Sequence, residues 1–238
     1  MEKLEKRKLY VLGDIHGNFS IVKYYSATNN LTNTDIIQVG DFGIGFYQND
    51  LEKIKELNKS LSLDNNHLYI IRGNHDDPSW FESSHLEFSH TSFLKDYTLL
   101  KLDIGNVFCV GGAISIDRQY RMRNELGYWS NELFKLYPHL IPSAENEKID
   151  IVITHTAPTY CFPIGVNSFV KTFAYHDPTL LSELQQEREL VDRLFDLIKE
   201  KGHEIKSHYY GHFHDSNTDY INNIKHRVLG VDEFLEVV

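Results

Sequence analysis

Five times along this chain a short apolar run stops at a glycine-marked or polar cluster of Asp, Asn or His. Residues 9–12 lead into Gly13-Asp14-Ile15-His16-Gly17-Asn18. Residues 36–39 lead into Gly40-Asp41-Phe42-Gly43, and residues 68–71 into Arg72-Gly73-Asn74-His75-Asp76-Asp77-Pro78. Residues 149–153 end in Thr154-His155-Thr156-Ala157-Pro158, and residues 207–210 in Gly211-His212-Phe213-His214. Short apolar runs bounded in this way fit buried strands. In Asp14-x-His16 the two side chains fall on one side of an extended backbone, and the flanking glycines allow a sharp turn and a close approach.

Helical signals lie between the runs. Residues 19–30 carry Ile21, Val22, Tyr24 and Tyr25, and Asn29-Asn30 ends them. Asp50 reads as an N-cap before Leu51, Ile54, Leu57 and Leu61 at helical spacing. Strand, polar motif and helix in alternation mark an α/β sheet. Residues just beyond the carboxyl ends of such strands gather in one crevice, so Asp14, His16, Asp41, Asn74 and His75 are expected to converge.

The second half differs. Residues 97–102 and 107–110 read as neighbouring strands around Asp103-Ile104-Gly105-Asn106. A stretch rich in Arg, Asn, Tyr and Trp then reaches about residue 148, and is expected to form a lid of loops and short helices over 115–148. Residues 159–177 read as irregular. Asp177-Pro178 is an expected helix start, followed by a stripe of Leu181, Leu184, Leu190, Val191, Leu194, Phe195 and Ile198, and Gly202 closes that helix. A closing hairpin is expected around Asn222-Asn223. There is no internal repeat, linker or low-complexity segment, so residues 1–238 are read as one domain.

Composition sets limits on partners. With 41% hydrophobic and 24% charged residues the chain is ordinary globular material. A formal net charge of -10 gives no support for extended nucleic acid or an anionic membrane as partner. Cys109 and Cys161 make no disulfide framework, which favours a reducing compartment. The charged first residues carry no apolar signal core, and no run approaches membrane-spanning length. These points give the expectation of a soluble, cytoplasmic protein.

Asp14, His16, Asp41, Asn74, His155, His212 and His214 supply seven oxygen and nitrogen donors and no thiolate. Such a set suits hard to borderline divalent ions: Mn, Fe, Zn, Ni or Co, with Mn favoured. Seven donors fit two ions sharing one carboxylate.

These blocks resemble, in order and spacing, the five signature blocks of the calcineurin-like metallophosphoesterase family, and they span residues 13–214. The resemblance implies a four-layer α/β fold with two mixed β-sheets packed as a sandwich between helices. It implies that Asp14, His16, Asp41 and His214 hold one ion, that Asp41, Asn74, His155 and His212 hold the second, and that Asp41 bridges. The implied chemistry is hydrolysis of a phosphodiester or nucleotide-type phosphate ester by metal-activated water. His75 would be the general acid, and Asp76 would pair with it or, with Asp77 and Pro78 after it, cap a turn. A phosphomonoesterase, or a non-catalytic metal-bound scaffold for a protein partner, are the alternative readings.

The chain departs from the G-D-x-x-D-R-G pattern of protein phosphatases, since Gly40-Asp41-Phe42-Gly43-Ile44-Gly45 lacks the second Asp and the Arg. Gly111-Gly112-Ala113-Ile114-Ser115-Ile116-Asp117-Arg118 is similar to smaller bacterial and phage members. A small phosphoester or nucleotide is therefore the expected substrate. Arg118, Arg121 and Arg123 read as a phosphate clamp, or as ion pairs with Asp117 or Glu125. Tyr120, Tyr128 and Trp129 read as lid packing, with base stacking as the alternative. His203-Glu204-x-x-x-His208 has one residue too many for a zincin motif, and both His are expected at the surface. Gly43-Ile44-Gly45 lacks the third glycine of a dinucleotide fingerprint. His67, His85, His90, His139, His176 and His226 are expected to be solvated.

Overall fold

The computed structural model describes residues 6–82 and 88–238. His85 lies outside them. The first half comprises β1 (Lys8–Leu12), α1 (Ser20–Thr28), β2 (Thr34–Gln38), α2 (Asp50–Leu63), β3 (His67–Ile70), α3 (Ser79–Glu82) and β4 (Thr91–Phe93). Next come β5 (Thr98–Leu102), β6 (Gly105–Val110), α4 (Arg118–Asn124), β7 (Ile151–Thr154), α5 (Ser168–Ala174) and α6 (Leu180–Glu200). The chain closes with β8 (Ser207–Tyr210), β9 (Asn217–Ile221), β10 (Ile224–Val228) and β11 (Phe234–Val237).

Two mixed sheets form, in the orders β11-β1-β2-β3-β4 and β5-β6-β7-β8-β10-β9. In the first, β1 to β4 run parallel and β11 is antiparallel to β1. In the second, β6, β7, β8 and β10 run parallel between antiparallel edges β5 and β9.

The two-residue period of a strand explains the layering. Leu9 and Val11 of β1, with Ile37 of β2, meet Val107 and Cys109 of β6 and Ile151 and Ile153 of β7 between the sheets. Tyr10, Leu12 and Ile36 point the other way, onto Val22 of α1 and Ile54, Leu57 and Leu61 of α2. On the far side of the second sheet Phe108, Val110 and Val152 pack on Val191, Leu194, Phe195 and Ile198 of α6. Four layers result, α/β/β/α. Both faces of the parallel strands are covered, which is why their sequences read as continuous apolar runs rather than alternating ones. Each fully buried Leu, Ile or Val in these layers contributes about 1.5–3 kcal/mol.

Several local expectations are revised. Asp50 is the first helical residue rather than the cap; its carboxylate accepts the backbone N–H groups of Gly45 (2.9 Å) and Tyr47 (3.1 Å) and so ties the preceding loop to α2. Asp177 precedes the α6 cap, Thr179, and its carboxylate accepts from Arg118 and the Thr179 hydroxyl. Residues 159–177 are not wholly irregular: α5 lies within them. His203 is buried, its Nδ1 accepting the Ile149 N–H (3.1 Å) and its Nε2 donating to the Pro142 carbonyl (2.9 Å). His208 and His226 are buried too, whereas His139 and His176 are exposed and His67 and His90 half-buried. Among the described residues no helix is long and apolar enough to cross a membrane.

Candidate metal centre

Asp14 and His16 follow β1, Asp41 follows β2, Asn74 and His75 follow β3, His155 follows β7, and His212 and His214 follow β8. Each stands just past the carboxyl end of a parallel strand, so both sheets deliver side chains to one crevice. Ligand atoms of Asp14, His16, Asp41 and His214 all lie within 4.8 Å of one another, and so do those of Asp41, His155 and His212. Asp41 belongs to both groups.

The contacts are those of a donor set aimed at shared points. Nε2 of His16 lies 3.0 Å from Nε2 of His214, and that second atom lies 3.3 Å from Oδ2 of Asp14. Oδ1 of Asn74 lies 2.8 Å from Nδ1 of His212 and 3.1 Å from Nε2 of His155, which is itself 3.3 Å from Oδ1 of Asp41.

The surrounding residues fix these orientations. The Val39 carbonyl lies 2.8 Å from Nδ1 of His155, which leaves Nε2 facing the cluster. Asn74 donates its amide to Ser115 Oγ (3.0 Å), so its oxygen must face the two imidazoles. Ser115 Oγ donates in turn to Glu132 (2.9 Å) and accepts from Arg121 (2.7 Å). Buried Glu132 is pushed up to about 7 by burial, against the pull of its Ser115 hydrogen bonds. Ser115 and Glu132 were missed as supports; the signal for the first was its place in the Gly111-Gly112-Ala113-Ile114-Ser115 turn, and for the second there was none.

Electrostatics knit the two halves together. Burial works against charge on both Asp41 and His155, yet each overcomes it for the other. His155 rises to about 9 beside Asp41, and His155 and His75 hold the Asp41 carboxyl well below the usual range.

The backbone is shaped for this purpose as well. His16 (φ 44), Asp41 (φ 56), His212 (φ 68) and His214 (φ 53) all take the left-handed conformation, which is uncommon outside glycine. Gly73 and Gly211 are required by close approach: a Cβ on the first would overlap Asp41, and on the second the Asp14 carboxylate.

The remaining candidates part company. The His75 ring lies edge-on to His16 at 5.3 Å, and burial holds it below the usual imidazole value against the field of Asp41. Asp41 and Asp117 are the carboxylates whose fields favour a proton on it. Asp76 does not pair with His75. Its buried carboxylate accepts backbone N–H groups from Phe42, Gly43, Ile44 and Gly73, which turns it inward to brace the loop that carries Asp41.

The expected phosphate clamp is also revised. The Arg118 guanidinium bonds Asp177 (2.6 Å), Glu183 and Thr179, and that of Arg121 bonds Ser115, the Gly127 carbonyl and the Asn74 carbonyl (3.4 Å). Both are buried, so they anchor α4 rather than reach outward. Arg123 is exposed at the end of α4. Trp129 packs edge-on to Phe46 at 5.0 Å and, with Tyr128, flanks Arg121, while Tyr120 is exposed.

A third group, Cys161, His208 and His226, lies on the outer face of the second sheet. Protein partners account for it. Thr154 donates its hydroxyl to the Thr156 carbonyl (2.5 Å), so its oxygen accepts from Nε2 of His208 (2.8 Å). Nδ1 of His208 then meets Nδ1 of His226, which also lies beside the Cys161 sulfur, both at 3.1 Å.

A family model described as calcineurin-like phosphoesterase matches residues 7–216. The chain belongs to the calcineurin-like phosphoesterases. No curated protein matches it. Solved structures similar to this phosphoesterase include GAP50, the anchor in the inner membrane complex of Plasmodium, at 14% identity with a TM-score of 0.49, covering 94% of this chain and 71% of that one. Phosphopantetheinyl hydrolase from Mycobacterium tuberculosis is another, at 11% identity with a TM-score of 0.44, covering 98% and 96%. The family is one of metal-dependent phosphoester hydrolases with paired divalent ions, and the two donor groups meeting at Asp41 fit such a pair.

Proposed function

We propose that this phosphoesterase cleaves a phosphodiester of modest size, and that the two donor groups act as its ion sites. Asp14, His16, Asp41 and His214 are assigned to the first ion and Asp41, Asn74, His155 and His212 to the second. All donors are oxygen or nitrogen, which suits several divalent ions, and manganese is the proposed occupant among them. The convergence of the two groups on Asp41 supports this assignment. When bound, such a pair supplies an activated water and neutralises phosphoryl oxygens. The chain contributes the rest: His75 stands beside Asn74 to pass a ring proton to the leaving oxygen, and Asp117 favours that proton.

Charge favours a diester over a monoester. A monoester brings close to two negative charges near neutral pH, a diester one. Among the described residues that line the cavity beside the centre, Arg188 is the one Lys or Arg. It is bonded to the carbonyls of Ala157, Pro158, Cys161 and Pro163. Asp117 and Asp215 line the same space. Beyond the ions, then, little is available to balance a second charge.

Rates on bis-p-nitrophenyl phosphate and p-nitrophenyl phosphate, measured with manganese and after chelation, test the proposal. Chelator-sensitive turnover favouring the diester is expected. Faster monoester turnover would make the protein a phosphatase, and bound metal without turnover on either ester would point to a scaffold. The proposed location is the cytoplasm, in keeping with two buried free cysteines.

A further inference from the structure

We infer that one arm of the substrate is a hydrocarbon chain or ring system, bound in the apolar cavity that opens from the metal centre; this rests on the phosphoesterase reading above. The cavity has a volume of about 580 Å³, the scale of a drug-sized ligand, and Asp41, Asn74, His75, His212 and His214 belong to its lining. The rest is largely apolar, with Phe162, Val170, Phe173, Leu184 and Phe213 among its walls. A phosphate held at the donor groups would therefore project an ester arm onto hydrocarbon.

Phe162 and Phe213 also pack against buried Cys161 and Tyr210, but the α5 side of the wall has no such core behind it. α5 has no buried residue, although it carries Phe169, Val170 and Phe173. Phe169 is 63% exposed, and Ile164 in the loop before it is 72% exposed. Apolar side chains gathered beside a reactive centre, on a helix that buries none of them, mark a binding surface.

Several polar groups of the wall are already engaged, and the buried Asp117 oxygen that lacks a partner is an acceptor. Asn167 caps α5 through the Val170 N–H (2.9 Å), Gln185 donates to Glu189 (2.9 Å), and Thr159 donates to Asp192 (2.7 Å). Arg188 is held by four carbonyls. A nucleobase entering here would leave most of its edge acceptors without a donor, since Arg188 is held by carbonyls, which costs affinity. A second phosphate would meet Asp117 and Asp215. A neutral hydrocarbon arm incurs neither penalty.

The test uses the metal-loaded full chain and two ester series, p-nitrophenyl alkyl phosphates and alkyl monophosphates, each from methyl to octyl, with the p-nitrophenyl ester of thymidine 5′-phosphate as the nucleoside case. Within either series kcat/KM is expected to climb with chain length, by up to roughly fourfold per buried methylene. Because chain-length dependence is read inside each series, it holds or fails whichever series is faster, so a monoesterase result would not mask it. Val170→Asn and Leu184→Asn should flatten the climb, read in the alkyl monophosphate series, where the alkyl group is the one hydrocarbon arm. Equilibrium binding of octylphosphonate against methylphosphonate gives the same reading without turnover, and tighter octyl binding is expected. A flat length dependence, equal binding of the two phosphonates, or a thymidine ester faster than the octyl ester would each overturn the inference.

Discussion

Replacing Asp76 with Asn separates chemistry from framework, the two roles the sequence left open for it. Oδ1 of Asp76 accepts the N–H groups of Gly43 (2.7 Å) and Ile44 (3.2 Å), and Oδ2 those of Gly73 (2.8 Å) and Phe42 (3.2 Å). Asn keeps one oxygen, so two of the four bonds survive and the new amide nitrogen faces two N–H donors. A hydrogen bond to a charged acceptor is worth about 1.5–3 kcal/mol, so losing two removes about 3–6 kcal/mol. Part of this is returned, because the carboxyl is already pushed up to about 6 by burial and then by the Asp41 charge, and the amide has no charge to bury. The net expectation is a loss of about 3 kcal/mol. At a urea slope of about 3 kcal/mol/M this moves the unfolding midpoint down by about 1 M with the slope unchanged. Metal affinity should fall as well, since the braced loop carries Asp41, while the acidic limb of the pH–rate profile stays in place. A variant of native stability with that limb displaced would refute the argument and return Asp76 to the role of partner for His75.

Three further outcomes follow from the same contacts. His75→Ala should retain its metal content but lose about 10²–10⁴-fold in turnover of esters with poor leaving groups, and much less with p-nitrophenolate; equal losses on both would exclude a proton donor. Arg118→Ala leaves buried Asp177 without its partner and should cost about 3 kcal/mol in urea, whereas a clamp on substrate would show in KM with stability unaltered. Burial drives the His226 ring down to about 4 and, with the field of His226, the His208 ring well below its usual value. The unfolded chain therefore binds more protons, and the stability from these two neutral rings is fully present above about pH 6.5 and is lost as pH falls towards 4. Urea midpoints at pH 7.5, 6 and 5 should decline, and His226→Gln should lessen the decline; an unchanged slope in that variant would show that carboxylates alone cause it.

The parallel strands could be read from the sequence because burial on both faces writes them as uniform apolar runs, and their ends because the turns there carry glycine beside a short polar side chain. β4 and β11 left no such mark. Each is three or four residues long at a sheet edge, where pairing with a neighbour rather than a continuous apolar run defines the strand. α5 escaped because its apolar side faces a cavity, so Phe169, Val170 and Phe173 do not repeat as a core stripe would. Charge partners were the hardest to foresee. Arg118 pairs with Asp177 and Glu183, about 60 residues on, whereas near neighbours Asp117 and Glu125 suggested themselves from the sequence. The same holds for His203, His208 and His226, whose hydrogen-bond partners come from distant turns and strands.

The left-handed backbone at His16, Asp41, His212 and His214 has a consequence for anyone who would engineer this protein. Each of these positions carries a side chain where glycine or asparagine would sit with less strain, of order 1 kcal/mol apiece. Computational stabilisation, and directed evolution screened on heat resistance alone, would therefore drift towards Gly or Asn at the donor positions themselves. The resulting proteins would melt later and bind ions worse. Useful thermostable variants have to be selected on retained metal and turnover together, with those four positions held fixed.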